Sequence, residues 1–90
     1  MSFEVTLHRA VRKAIKDLPK AHQRQISELI EVLKDNPIPY KEFDIGRVEG
    51  HREMFKIRFG VFRLTYEIDE NNKRIKLLKL EPRSKAYKGL

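Results

Sequence analysis

The chain is expected to adopt an α+β fold: an N-terminal strand, then an α-helical hairpin packed on one face of a mainly antiparallel sheet. Two patterns predict this. Apolar residues recur at i, i+3, i+4 and i+7 through two segments between residues 11 and 33, and at a spacing of two in the segments on either side. The connections are short and carry proline, glycine or asparagine, which makes consecutive elements neighbours in space. Ninety residues support one domain, residues 1–90, with a single core.

Residues 3–7 alternate, with Phe3, Val5 and Leu7 inward, and read as the first strand. A helix follows at once: Val11, Ala14, Ile15 and Leu18 form its apolar stripe, while Arg12, Lys13 and Lys16 face water. Pro19 stops that helix and opens the next, because proline suits a first helical turn. The second helix, residues 20–34, repeats the stripe with Ile26, Leu29, Ile30 and Leu33. Pro37 and Pro39 end it, since each disfavours helical backbone in the residue before it. A short strand is expected within residues 43–49, closed by Gly50. The polar run Asp69, Glu70, Asn71, Asn72 makes a turn before a last strand at residues 74–80. There Ile75 and Leu77 alternate onto one face, Leu78 and Leu80 onto the other. A strand covered on both sides, or a bulge, explains that break in pattern.

Between these lies MFKIRFGVFRLTYEI, residues 54–68, a β-hairpin in period two. Phe55, Ile57, Phe59, Phe62, Leu64, Tyr66 and Ile68 share one face, which makes Tyr66 a core residue. Lys56, Arg58 and Arg63 share the other. A loop at Gly60 and Val61 puts glycine first, as a type II′ turn requires, and sets Arg58 opposite Arg63. A loop at Phe59 and Gly60 sets Lys56 opposite Arg63 instead. Either register gives a cationic face on a hydrophobic one. Like charges facing each other in a sheet are unfavourable, so this is either a plain solvated face or a site awaiting an anion.

Composition narrows the function classes. There is no cysteine, hence no disulfide and no cysteine zinc site. No apolar run reaches membrane-span length and the N-terminus has no signal-peptide core, so a soluble cytoplasmic protein with no membrane role is expected. The net charge of +7 favours a polyanionic partner. Residues 46–90 hold twelve Lys/Arg against six Asp/Glu, residues 1–45 eight against seven, so the basic half is the strand half. No phosphate-binding glycine loop, metal-ligand spacing or nucleophile motif is present, and neither a cofactor nor a metal is expected. His22 reads as helix packing. His51, in the loop entering the hairpin, is a possible ligand contact.

Lysine, arginine and tyrosine remain. Such a set binds phosphodiesters, and it cleaves RNA when the RNA's own 2′-hydroxyl is the nucleophile. That reaction needs the hydroxyl proton removed, the phosphorane charge neutralised and the leaving 5′-oxygen protonated or shielded. Arginine suits the second task because its planar fork matches phosphate oxygens. Lysine accepts a proton only while neutral, so Lys56 is a poor base. A catalyst built this way is expected to be slow alone and to need help in holding its substrate.

The element order, together with LPKAHQR, RVEG, FKIRFGVFRLTYEI and KLEPRSKAYK, resembles the RelE family of toxin–antitoxin modules, in its archaeal branch, over nearly the whole chain. The resemblance implies a microbial-ribonuclease-like fold and an mRNA interferase that enters the ribosomal A site and cuts the codon there. It also implies a RelB-like antitoxin partner that wraps the toxin. The family's basic strand positions fall on Lys56, Arg58 and Arg63, its later arginine on Arg83 and its base-stacking tyrosine on Tyr87. Stacking on an unpaired base is sequence-tolerant, which suits an enzyme that meets many codons. Lys79, Lys85 and Lys88 would supply general attraction to ribosomal RNA. Two other readings share the scaffold: a ParE-like poison of DNA gyrase, and an RNA-binding module without catalysis.

Overall fold

The computed structural model describes residues 2–82. In these, β1 (Glu4–Leu7) leads into α1 (Arg9–Lys16) and α2 (Lys20–Asp35), and β2 (Asp44–Arg47), β3 (Met54–Phe59), β4 (Phe62–Asp69) and β5 (Arg74–Pro82) follow. His8 caps α1: its Nδ1 accepts from the backbone N–H of Ala10 at 3.0 Å. Its own N–H donates to the Leu77 carbonyl, tying the start of the helix to β5. Pro19 is the N-cap of α2, and only Asp17 and Leu18 separate it from α1. The Gln23 side chain closes this corner by donating to the carbonyls of Ile15, Lys16 and Leu18 at 3.0, 3.4 and 3.1 Å. These include carbonyls that the end of α1 would otherwise leave unpaired.

The five strands form one sheet in the order β1-β5-β4-β3-β2, antiparallel throughout except for the parallel pair β1–β5. Val5 faces Ile75 and Leu7 faces Leu77 in that pair. Of the two hairpin registers, the loop at Gly60 and Val61 is the one formed, with Phe59 opposite Phe62 and Arg58 opposite Arg63. Gly60 has φ +53° and Val61 is not left-handed, as a type II′ turn demands. At the next turn Asn72 donates from its side chain and its backbone to the Asp69 carboxylate, at 2.9 and 3.2 Å. These bonds, the side-chain one foremost, hold the Asp69 carboxyl below its ordinary range.

The broken pattern of β5 is a bulge. Thr65 faces Lys79 while Tyr66 faces Leu77, so Leu78 is the extra residue. One expectation is corrected by it. Simple alternation puts Leu80 on the face opposite Leu77, but the bulge flips the strand and returns Leu80 to the core, opposite Leu64. The core lies between this face and the helices: Val11, Ile26, Leu29 and Leu33 meet Ile57, Leu64, Tyr66, Ile75 and Leu77, each at most 2% exposed. Tyr66 is buried as expected, and its hydroxyl donates to the Pro37 carbonyl at 2.7 Å, fastening the segment after α2. Burial pushes its ionisation upward. His22 packs edge-on against Phe62, at 5.1 Å between ring centres. Among the described residues no helix is long and apolar enough to cross a membrane.

Candidate functional site

Because the helices occupy one face of the sheet, the other presents the outward residues of β2 to β5 side by side. Pairing across four strands writes them into rows. One row runs Asp44, Arg58, Arg63, Glu81; the next runs Gly46, Lys56, Thr65, Lys79. Neighbouring strands lie about 4.8 Å apart, so successive charges in a row are near neighbours. The two-residue turn is what brings Arg58 and Arg63 together. A one-residue slip would send one of them to the core face.

Asp44, Gly46, Arg47, Lys56, Arg58 and Arg63 line an open cavity of about 300 Å³. Lys56, Arg58 and Arg63 against the one carboxylate of Asp44 give it a positive potential. Arg58 Nη1 lies 3.5 Å from Asp44 Oδ2, a solvent-exposed contact, and Lys79 Nζ lies 3.6 Å from Glu81 Oε2. Among the described residues neither Lys56 nor Arg63 has an ion-pair partner. Gly46 leaves the space beside Lys56 open, since a Cβ there would meet nothing within 4 Å. Two adjacent guanidiniums with an ammonium one row away are equipped to hold phosphate oxygens and to neutralise charge developing on phosphorus.

Lys56, Arg58 and Arg63 therefore converge on one cavity, and Lys79 lies two strands from Lys56 in the same row. His51 is not brought to them. It is exposed in the loop before β3, at the opposite end of that strand from the turn. Arg83, Lys85, Tyr87 and Lys88 lie outside the described residues. Two side chains at this site escaped the sequence reading. Asp44 and Glu81 cap the arginine row at its two ends, and their pairing across strands has no local signal. Arg47, in register with Phe55, lies on the other side of edge strand β2, where its guanidinium packs over the Phe55 ring, 5.5 Å from its centre. Among the described residues no group of three His, Asp or Glu side chains is placed to hold a metal ion.

A family model described as the ParE toxin of the type II toxin-antitoxin system parDE matches residues 5–87. The sequence is also 42% identical, over 89 residues and 99% of both chains, to the Methanocaldococcus jannaschii protein named "Putative toxin RelE1". The chain belongs to the RelE/ParE toxin family. As a member it is a toxin of the type II toxin–antitoxin class. The toxin is similar in structure to the archaeal RelE–RelB complex from Pyrococcus horikoshii, with a TM-score of 0.84 at 38% identity, covering 92% of this chain and 97% of that one. Mutant E. coli toxin RelE in the free state shares the fold at 12% identity, with a TM-score of 0.75 over 97% of this chain and 90% of that one.

Proposed function

We propose that this single-domain toxin, residues 1–90, is a ribosome-dependent, metal-independent endoribonuclease that cleaves mRNA in the A site and so inhibits translation. The observation that carries the reading is the convergence of Lys56, Arg58 and Arg63 on one open cavity of the helix-free face. In the reaction the 2′-hydroxyl oxygen attacks the adjacent phosphorus, the bond to the 5′-oxygen breaks, the hydroxyl proton passes to a base, and the leaving 5′-oxygen takes up a proton from an acid or from water. The products are a 2′,3′-cyclic phosphate and a 5′-hydroxyl. Arg58 and Arg63 hold the phosphate and meet its growing charge, and Lys56 sits where the chain on either side of it would pass. Arg83 is assigned a second phosphate clamp and Tyr87 the stacking platform, with Lys85 and Lys88 adding attraction to RNA. Asp44 and Glu81 join these residues from the two ends of the arginine row. A carboxylate accepts a proton without first having to lose one, as lysine must, so the ends of the arginine row are better placed than Lys56 to take the hydroxyl proton.

The toxin acts in the cytoplasm and is held in check there by a RelB-like antitoxin. RelE is bound to RelB in the similar structures from P. horikoshii and M. jannaschii. A largely apolar cavity of about 300 Å³ between α2 and the hairpin turn, lined by Leu29, Val32, Phe43 and Phe59, fits one apolar edge of an amphipathic segment.

The family model's description favours a second reading, a gyrase poison that uses the same basic hairpin for binding alone. Primer extension on mRNA in a translating extract separates the two. Wild type should cut inside A-site codons only when ribosomes are present, and Lys56→Ala/Arg58→Ala/Arg63→Ala and Arg83→Ala should each abolish the cuts. Intact mRNA with arrested growth and DNA breaks would establish the gyrase reading instead.

A further inference from the structure

The helix layer carries a second cationic surface that the proposed reaction does not use. In α1, Arg9, Arg12, Lys13 and Lys16 stand at i, i+3, i+4 and i+7 and are all exposed. They form a stripe on the side of the helix away from Val11 and Ile15, which face the core. With Asp17 at one end, they line an open hollow of about 430 Å³. Among the described residues none of the four cations forms an ion pair.

Folding alone gives no reason for this arrangement. Like charges at i, i+3 and i, i+4 destabilise a helix, and the stripe holds four such pairs. Lys13 and Lys16 lie in the last turn, where the helix dipole favours cations. Arg9 and Arg12 lie in the first half, where it opposes them, and α1 has no acidic residue in its first turn. Two arginines are thus kept where both helix electrostatics and their neighbours disfavour them.

We infer that the α1 stripe docks the phosphate backbone of a structured RNA, separately from the strand held by the hairpin cavity. Charge complementarity identifies the occupant. An eight-residue helix is about 12 Å long, so its four cations match a short run of successive phosphates. Two arginines supply forked donors for phosphate oxygens. The core between the two layers puts the stripe and the hairpin cavity on opposite sides of a molecule whose smallest extent is 26 Å. One toxin can therefore hold two RNA segments at once, and neither surface blocks the other. This docking does not depend on whether the hairpin cleaves.

The test measures fluorescence anisotropy of a labelled 20-base-pair RNA duplex and of a single-stranded RNA of equal length, from 50 to 300 mM KCl. Each duplex phosphate contact contributes roughly 0.9 to the slope of log K against log salt. Arg9→Gln/Arg12→Gln should lower the duplex slope by about two while melting at the same temperature as wild type or higher. The full Arg9→Gln/Arg12→Gln/Lys13→Gln/Lys16→Gln variant should lower it by about three to four, and Arg9→Lys/Arg12→Lys should retain it. The Lys56→Ala/Arg58→Ala/Arg63→Ala variant should instead lose mainly single-strand binding. Wild-type duplex slope and affinity in both glutamine variants would overturn the inference. So would an oligoglutamate peptide that displaces the duplex and loses more affinity than the duplex does on the four-residue variant, which would mark the stripe as a surface for an acidic protein.

Discussion

Tyr66 shows how one buried polar atom couples this fold to pH. Its hydroxyl sits in the core and donates to the Pro37 carbonyl, and burial raises its pKa in the folded chain above the value of about 10 found in unfolded chains. The folded state therefore holds this proton more tightly than the unfolded state. The corresponding stability is fully present below about pH 10 and is lost as pH rises beyond it. Tyr66→Phe should lower stability at neutral pH by about 1–2 kcal/mol, because the carbonyl loses its donor. It should also fall less steeply above pH 10. Urea unfolding midpoints of the two proteins from pH 7 to pH 11 check both points, since the other tyrosines and the lysines titrate in each. Identical slopes above pH 10 would show that Tyr66 does not carry the alkaline loss. The inward placement of Tyr66 is legible from alternation alone. Its acceptor, 29 residues earlier, is not.

At the scale of elements, two joints take more weight than their sequence signals suggest. Pro19 marks where α1 gives way to α2, but Gln23 is what closes the corner, with three carbonyls on one amide. Gln23→Ala should cost about 1–2 kcal/mol by leaving the Lys16 and Leu18 carbonyls to water and the Ile15 carbonyl with its backbone donors alone. Gln23→Glu should cost more, because its carboxylate would face carbonyl oxygens. Thermal melts of both variants, read by circular dichroism at 222 nm, test that order. The second joint is the bulge at Leu78. Deleting Leu78 leaves Ile75, Lys76, Leu77, Lys79, Leu80, Glu81 in clean alternation, with the pairs on either side of the bulge already in register. The deletion should therefore fold with a stability change of about 1 kcal/mol or less. A bulge adds twist and bends its strand, so losing it re-aims Lys79 and Glu81 relative to Arg63. RNA cleavage or binding should fall by more than stability does. A deletion variant with unchanged activity would show that the bulge serves packing alone.

For the whole molecule, what the sequence reveals depends on the range of the interaction. Gly60 and a period of two narrow the hairpin to two registers with one cationic face, so the shared face of Lys56, Arg58 and Arg63 is within reach of local pattern, while the pairing of Arg58 with Arg63 is settled by the fold. The row that extends it to Asp44 and Glu81 joins strands far apart in the chain, and alternation does not say which strand lies beside which. The parallel pair β1–β5 is the extreme case, with Glu4 opposite Arg74 some seventy residues away. The same difference in range should order folding. Closing the β3–β4 hairpin costs little loop entropy, whereas β1 reaches β5 only by closing nearly the whole chain. The hairpin and the helices over it should be structured in the transition state, and β1 should dock late. Ile57→Val, in a fully buried β3 position, should lose about 0.5–1.5 kcal/mol and show it mainly as slower folding. Val5→Ala on β1 should show its loss mainly as faster unfolding. Stopped-flow folding and unfolding rates across urea separate the two. If Val5→Ala slows folding in proportion to its loss of stability, the parallel pair forms early, and sequence distance does not govern the order of assembly.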